Sequence, residues 1–244
     1  MIRPRLLAGK GMWIWQIAKC EGGDVRRIVE KARWAGLSHI LVKVGQDNRA
    51  YDSVAAHELY YAARDAGVEF IGWHYVGGTT MPEIEAVRAA ENIIDYHSHI
   101  YVINAEKEFK GQPERAKDFM RALRGHSHLR RCVLLALSSF YLPRNHPDFP
   151  WDQFTPYCDL WMPQIYWHKN DPVWALEEAL RQSANFGIPR FVTGAVYPEA
   201  ARNAAMVKSF CDAVSRKKLW GANFWSWQHC TAEMWDVIRE ARFE

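Results

Sequence analysis

Two side chains with complementary chemistry close an apolar segment near the middle of the chain. The segment Tyr101 to Glu106 reads YVINAE. In an extended strand, residues two apart project to the same side, with Cα atoms about 6.6 Å apart. The Glu106 carboxyl group can protonate a leaving-group oxygen, and the neutral Asn104 amide can hold a neighbouring substrate group without competing for that proton. We therefore predict that Asn104 and Glu106 form the catalytic part of a site.

Glu106 also has a purely structural alternative. An ion pair with Lys43 or Lys107 would satisfy its charge, since charged groups inside a fold are commonly paired. Glu108 has the same parity as Glu106 but follows the predicted strand, so we expect it to be a solvated loop acid.

A catalytic carboxylic acid commonly works with a second carboxylate that acts as base or nucleophile. The acids that follow other predicted strands are Asp47, Asp148, Asp152, Asp171 and Glu199. Glu199 follows Pro198 at a predicted helix start, where an acid complements the helix dipole, so we expect it to cap that helix. None of these acids is placed as firmly as Glu106.

Amide and phenol groups end a later apolar segment. Residues 160–167 read LWMPQIYW, and Gln164 and Tyr166 share one side of the predicted strand. Both side chains can hydrogen-bond sugar hydroxyl or acetamido groups. Trp167 follows directly and is expected to stack on a sugar ring.

Tryptophan is abundant, with 12 among 244 residues. The last apolar segment ends in NFWSWQ, and we expect Trp225 or Trp227 to form the floor of a sugar-binding pocket. His74 and Lys43 lie at the ends of two earlier apolar segments. They complete the predicted substrate-binding set.

Short apolar runs rich in Val, Ile and Leu recur at intervals of 26 to 32 residues. Their first residues are Met12, Ser38, Val68, His99, Arg131, Asp159, Arg190 and Leu219. Most precede a segment of helical periodicity, the pattern of βα units on a parallel sheet. We predict a single (β/α)8 TIM barrel, with residues 1–244 forming one domain. Catalytic residues of such barrels lie at the C-terminal ends of the strands, where Asn104 and Glu106 fall.

Helix starts are predicted from capping residues and prolines. They lie at Asp24 and Ser53 and near Pro82, Pro113 and Pro198. The fifth unit differs, because residues 141–156 contain four prolines and little helical periodicity. Its helix is therefore expected to be short or absent.

The acid-ended fourth segment, the sixth segment MPQIYW and the eighth segment FWSWQ resemble single-domain glycoside hydrolase barrels. The clearest likeness is to family 25 lysozymes, with a looser one to family 18 chitinase-like proteins. In those families the fourth strand ends in Asp-x-Glu, with the Glu as general acid; Glu106 matches this Glu, whereas Asn104 stands where Asp is expected. Asn-x-Glu is similar to family 85 endo-N-acetylglucosaminidases, in which the substrate's acetamido group attacks and an Asn orients it. The resemblance implies a glycoside hydrolase that cleaves an N-acetylhexosamine-containing glycan, with peptidoglycan as one candidate, and that uses Glu106 as general acid in a substrate-assisted reaction. It also implies that Tyr166 contacts the reacting sugar and that Trp225 lies beneath it.

Other classes of barrel remain as alternatives. Lys43, flanked by apolar residues, suits a Schiff-base lyase, but no phosphate-binding glycine loop follows strands seven and eight. A metal hydrolase would use His74, His168 and His229, but no His-x-His pair closes the first strand. We therefore predict neither a metal nor an organic cofactor. A non-catalytic carbohydrate-binding or scaffold barrel, in which Asn104 marks lost activity, is the alternative from another class.

Composition narrows the partners further. The net charge is +3, and basic and acidic residues are interspersed, which argues against nucleic-acid and membrane partners. The five cysteines include no CxxC pair, so we expect buried, reduced thiols. No signal peptide or membrane span is evident, which favours a cytoplasmic or phage-like, particle-associated protein over a secreted one. The predicted partner is a glycan, and the oligomeric state is left open.

Overall fold

Eight parallel strands, each followed by a helix, make up the computed structural model, which describes residues 7–78, 80–126 and 133–243. The strands are β1 (Gly9–Ile14), β2 (His39–Gln46), β3 (Glu69–Val76), β4 (Ile100–Ala105), β5 (Leu134–Phe140), β6 (Leu160–Ile165), β7 (Val192–Ala195) and β8 (Gly221–Trp225). The helices are α1 (Val25–Trp34), α2 (Ser53–Asp65), α3 (Pro82–Asp95), α4 (Pro113–Gly125), α5 (Trp151–Phe154), α6 (Pro172–Gln182), α7 (Ala204–Arg216) and α8 (Ala232–Glu240). Neighbouring strands pair in parallel and β8 pairs with β1, which closes the sheet. The fold is a (β/α)8 TIM barrel, as predicted.

The predicted strand starts agree with the structure to within three residues wherever the structure describes them. The largest difference is at β1, which begins at Gly9 rather than Met12. The predicted start at Arg131 lies outside the described residues, and β5 is described from Leu134. A two-residue strand, Arg49–Ala50, pairs antiparallel with the end of β2.

Four of the five predicted helix starts agree with the structure to within one residue, although α2 begins at Ser53 itself, behind Asp52, rather than after a Ser53 cap. The Asp24 carboxylate accepts hydrogen bonds from the backbone N–H groups of Arg26 and Arg27, and α5 has only four residues. The prediction at Pro198 was wrong, because α7 begins at Ala204 behind the cap Asn203. Within the described residues, no helix is both long and apolar enough to cross a membrane.

Strand parity divides the apolar residues between two layers. One set fills the inside of the barrel and includes Trp13, Trp73 and Met162. The other set lies between the strands and the helices, where Trp161 packs against Trp151 and Phe186. Trp161 therefore faces away from the barrel interior, as its parity predicted.

A polar bridge crosses the barrel interior beside β1. The imidazole of His39 donates from Nε2 to Oδ1 of Asn223, at 2.7 Å. Burial lowers the pKa of His39 to about 4, so the ring is neutral at pH 7. Gly11 provides the space, since a Cβ there would lie 2.1 Å from Nε2 of His39 and 2.2 Å from Oδ1 of Asn223.

Candidate active site

A carboxylate and two amides meet at the C-terminal ends of β4 and β6. Asn104 donates from Nδ2 to Oε1 of Glu106, at 3.1 Å. Gln164 donates from Nε2 to the same carboxylate oxygen at 3.0 Å and to Oδ1 of Asn104 at 2.7 Å. The contact between Asn104 and Glu106 agrees with their predicted parity. The two amides thus fix one oxygen of the Glu106 carboxylate.

The Glu106 carboxylate has no cationic partner in the described part of the chain. No Lys, Arg or His nitrogen among those residues lies within 4.0 Å of it, whereas twelve such ion pairs occur elsewhere among them. The ammonium group of Lys43 donates to Oε1 of Gln46 instead, at 2.7 Å. Neither Lys43 nor Lys107, both of them described, therefore forms the structural ion pair with Glu106.

Two phenols lie close to the Glu106 carboxylate. Burial, followed by the charge of Glu106, raises the pKa of Tyr166 well above its usual value. The pKa of Tyr75 is also raised, first by burial, then by its side-chain contact with Glu108 and by the charge of Glu106. Glu108 lies beyond β4, as predicted, but it is half-buried beside this phenol rather than solvated. Both phenols remain protonated and can act as hydrogen-bond donors.

Two adjoining cavities open on either side of Glu106. The larger, about 570 Å³, is lined by Trp13, Asn104, Glu106, Ser138, Phe140, Tyr141, Leu142, Asn145, His146, Gln164, Tyr166, His168, Asn170 and Trp225. The smaller, about 290 Å³, is lined by Trp15, Lys43, Gln46, Trp73, Tyr75, Asn104, Glu106 and Trp225. Asn104, Glu106 and Trp225 belong to both linings. We call the two cavities together the cleft, and Glu106 lies where they meet.

Glu106 is the only carboxylate among the described residues that line the cleft. The acids proposed as its partner, none of which lines it, are Asp47, Asp148, Asp152, Asp171 and Glu199. Asp171 caps α6, accepting hydrogen bonds from two backbone N–H groups, and Asp148 pairs with Lys110. Glu199 is exposed in a turn before α7 and does not cap that helix.

Three tryptophans pack edge-to-face beneath the cleft. The ring centroids of Trp13 and Trp73 are 5.5 Å apart, and each lies 5.7 Å from that of Trp225. Interplanar angles of 66° to 68° give the edge-to-face geometry that aromatic quadrupoles prefer. Trp225 is half-buried and Trp13 lines the larger cavity, so this cluster forms an apolar floor of the cleft.

Three of the predicted binding residues are not brought to the cleft. Trp167 is fully buried against Phe210, 5.3 Å away, and Trp227 is buried against Trp235. His74 is fully buried and bonds from Nε2 to the backbone carbonyl of Asp47, at 2.7 Å. Burial lowers the pKa of His74 to about 4.

The structure adds cleft residues that the sequence did not assign. Trp13 and Tyr75 have inward parity on β1 and β3, so strand alternation could have identified them. Tyr141, His146 and Asn170 lie in loops after β5 and β6, where no periodicity predicts position. Among the described residues no group of three or more His, Cys, Asp or Glu side chains is arranged to hold a metal.

Replacing Trp225 by Ala is expected to weaken binding of the glycan that the wild-type protein binds best, by about ten-fold. A stacked aromatic face contributes roughly 1 to 1.5 kcal/mol, and the substitution removes the part of the floor shared by both cavities. Titration calorimetry measures the effect. Trp174→Ala is the control, because Trp174 is exposed on α6 and does not line the cleft. An equal loss in both variants would contradict the assignment of Trp225 as the floor.

No family model and no curated protein matches the sequence. Solved structures do match the fold. A class V chitinase from Pseudomonas fluorescens Pf-5 has a TM-score of 0.71 at 9% identity, over 96% of this chain and 99% of that one. A chitinase from Chromobacterium violaceum ATCC 12472 has a TM-score of 0.68 at 11% identity, over 96% and 99%. The spore cortex-lytic enzyme SleL of Bacillus megaterium QM B1551 has a TM-score of 0.69 at 9% identity, over 97% of this chain and 74% of that one.

Sequence identities this low show only that the fold is shared. The neighbours include chitinase barrels, so they agree with the looser of the two resemblances, and the likeness to family 25 lysozymes stays a prediction. The chain thus has a barrel like those of solved glycoside hydrolases, with one carboxylate among its described cleft residues, where the two cavities meet.

Proposed function

We propose that this protein is a glycoside hydrolase that cleaves an N-acetylhexosamine-containing glycan by a substrate-assisted reaction. The observation that carries the proposal is the isolation of Glu106. It is the one carboxylate among the described cleft residues, it has no paired cation there, and two amides hold it in place. A retaining reaction without a second protein carboxylate can take its nucleophile from the substrate, and the 2-acetamido group is a nucleophile next to the reacting carbon.

In the first step Glu106 gives its proton to the glycosidic oxygen. The acetamido oxygen attacks the anomeric carbon, the bond to the leaving sugar breaks, and a cyclic oxazolinium ion forms. In the second step water attacks the same carbon while Glu106, now a carboxylate, takes its proton. The ring opens to restore the acetamide, and the anomeric configuration is retained.

Asn104 and Tyr166 orient the substrate in this scheme. Gln164 donates to Oδ1 of Asn104, which turns the Asn104 amide nitrogen towards Glu106. A primary amide has two N–H donors, so one remains for the sugar. Tyr166 keeps its proton because its pKa is raised, and its hydroxyl can hydrogen-bond the acetamido group. Trp225 supports the sugar ring from below.

The solved neighbours support the substrate class. Several are named as chitinases, and a thermostable chitinase from Pyrococcus furiosus has been solved in complex with chito-oligosaccharides. Chitin is a polymer of N-acetylglucosamine, which carries the acetamido group that the mechanism requires.

Turnover is expected to require the acetamido group. Chitin oligomers, peptide-free peptidoglycan strands and N-glycans would each be incubated with the protein, and the products identified by mass spectrometry. The matched control is the best chitin or peptidoglycan substrate after N-deacetylation and again after re-acetylation. We expect cleavage before deacetylation and after re-acetylation only. Equal cleavage of the deacetylated form would exclude substrate assistance, and binding without cleavage of any glycan would favour a non-catalytic carbohydrate-binding barrel.

A further inference from the structure

Lys43 is a buried cation in the smaller cavity of the cleft. It lies on β2, and only 5% of its surface is exposed. Four aromatic rings surround its ammonium nitrogen, with centroids 4.3 Å (Tyr51), 5.4 Å (Trp73), 5.7 Å (Tyr75) and 5.9 Å (Trp15) away. The rings stabilise the charged form but supply no anionic partner.

The protein balances the positive charge of the Lys43 ammonium group only in part. Its one hydrogen-bond acceptor among the described residues is the neutral Gln46 side chain, and no carboxylate oxygen in that part of the chain lies within 4.0 Å of it. The charge of Asp47 acts on Lys43, but the Asp47 carboxylate packs against Gly77 and interacts with Glu85. Burial accordingly lowers the pKa of Lys43 to about 8, which still leaves the ammonium form dominant at pH 7.

A second buried lysine shows what a structural lysine looks like in this fold. Lys10 is 7% exposed and donates to the backbone carbonyls of Ile238 and Arg239, at 2.9 and 3.0 Å. It lies at the start of β1, the end of the barrel opposite Glu106. Lys43 uses one of its three N–H donors and lines an open cavity, so two donors remain for a ligand.

We infer that Lys43 binds a carboxylate carried by the glycan, so that the substrate alternates an N-acetylhexosamine with an acidic sugar. This inference rests on the proposed function for the position of the cleaved bond. The smaller cavity holds both Lys43 and Glu106, so a sugar there lies next to the reacting centre. Its carboxylate would supply the missing counter-charge in a desolvated site, where such a bond is strong.

A Schiff-base role for Lys43 fits these surroundings less well. A nucleophilic lysine must be neutral, and aromatic faces within 6 Å stabilise the ammonium form instead. The four aromatic rings around Lys43 therefore favour recognition of an anion over attack on a carbonyl.

The test combines one protein change with one ligand change. The protein pair is Glu106→Gln and the double variant Glu106→Gln with Lys43→Met, which keeps the apolar stem but removes the charge. The ligands are peptide-free peptidoglycan strands, with a lactyl carboxylate, and hyaluronan oligosaccharides, with a uronic carboxylate. Each is used before and after chemical reduction of its carboxyl groups. Calorimetry at about pH 6.5, below the pKa of Lys43 so that its ammonium form dominates, gives each Kd.

With Lys43 present, carboxyl reduction is expected to weaken binding of one ligand about 10- to 100-fold, the range for a charged hydrogen bond. In the double variant that also carries Lys43→Met, reduction of the ligand's carboxyl groups should leave the Kd unchanged. The ligand that responds identifies the source of the carboxylate. Lys10→Met serves as the matched buried-lysine control and should leave the response to reduction intact.

Equal binding before and after reduction with Lys43 present would overturn the inference, even if the Met variant fails to fold. Selective binding of neutral chitin oligomers would also overturn it. Lys43-dependent binding of an acidic glycan that the wild-type protein does not cleave would support the inference while refuting the proposed hydrolase. Cleavage of chitin, with glycan binding that does not depend on a carboxylate, would support the proposed hydrolase and overturn the inference about Lys43.

Discussion

Replacing Glu106 by Gln is expected to lower kcat by about 10²- to 10⁴-fold while Kd for the uncleaved glycan stays unchanged. Gln keeps the shape of the side chain and an oxygen that can accept the bonds from Asn104 and Gln164, but it has no acidic proton. The substitution therefore removes stabilisation of the transition state, in which the leaving oxygen must be protonated, rather than binding energy in the ground state. Initial rates on the best substrate, with binding measured by calorimetry, separate the two quantities.

Glu199→Gln is the control for this substitution. Glu199 is also an acid at the C-terminal side of a barrel strand, but it is exposed and does not line the cleft. Its replacement should leave kcat unchanged. A Glu106 variant with full activity would mean that another acid protonates the leaving group, and the assignment of Glu106 would be wrong.

Replacing Gly11 by Ala is expected to reduce the free energy of unfolding by about 2 to 6 kcal/mol. A Cβ at this position would overlap the bridge between His39 and Asn223. Overpacking of a core costs roughly 1–3 kcal/mol, and a buried polar group left without its partner costs roughly 1–3 kcal/mol more. Denaturant-induced unfolding at pH 7, followed by far-UV circular dichroism, measures the change.

Gly125→Ala is the matched control, because Gly125 ends α4 and a Cβ there would meet nothing within 4 Å. Ala has the higher helix propensity, so this variant should be neutral or slightly more stable. Similar stability of the two variants would show that the polar bridge tolerates an added methyl group.

The sequence predicts the barrel because each strand is an apolar run of nearly constant spacing, buried on both faces. It also predicts the pairs Asn104 with Glu106 and Gln164 with Tyr166, since alternation continues for one residue past the ends of β4 and β6. It fails at the second residue past a strand end. β6 ends at Ile165 and β8 at Trp225, and Trp167 and Trp227, two residues further on, are buried in the core.

Parity applied to β3 would have excluded His74 from the cleft. Trp73 and Tyr75 face the barrel interior, so His74 between them must face the helices. The loop residues His146 and Asn170 are a different case. Their positions depend on the path of long connections, which no local sequence pattern determines.

The three packed indoles have a consequence for how the protein absorbs light. At centroid separations of 5.5 to 5.7 Å, their excited states couple, and crossed rings of this kind give rise to a paired circular dichroism signal in the ultraviolet. Trp225 is the member of the trio that borders both cavities, so a sugar laid against it perturbs one partner of the coupled set. The circular dichroism signal of these three tryptophans is therefore expected to change when a glycan binds to the floor of the cleft, so binding can be followed without an added label.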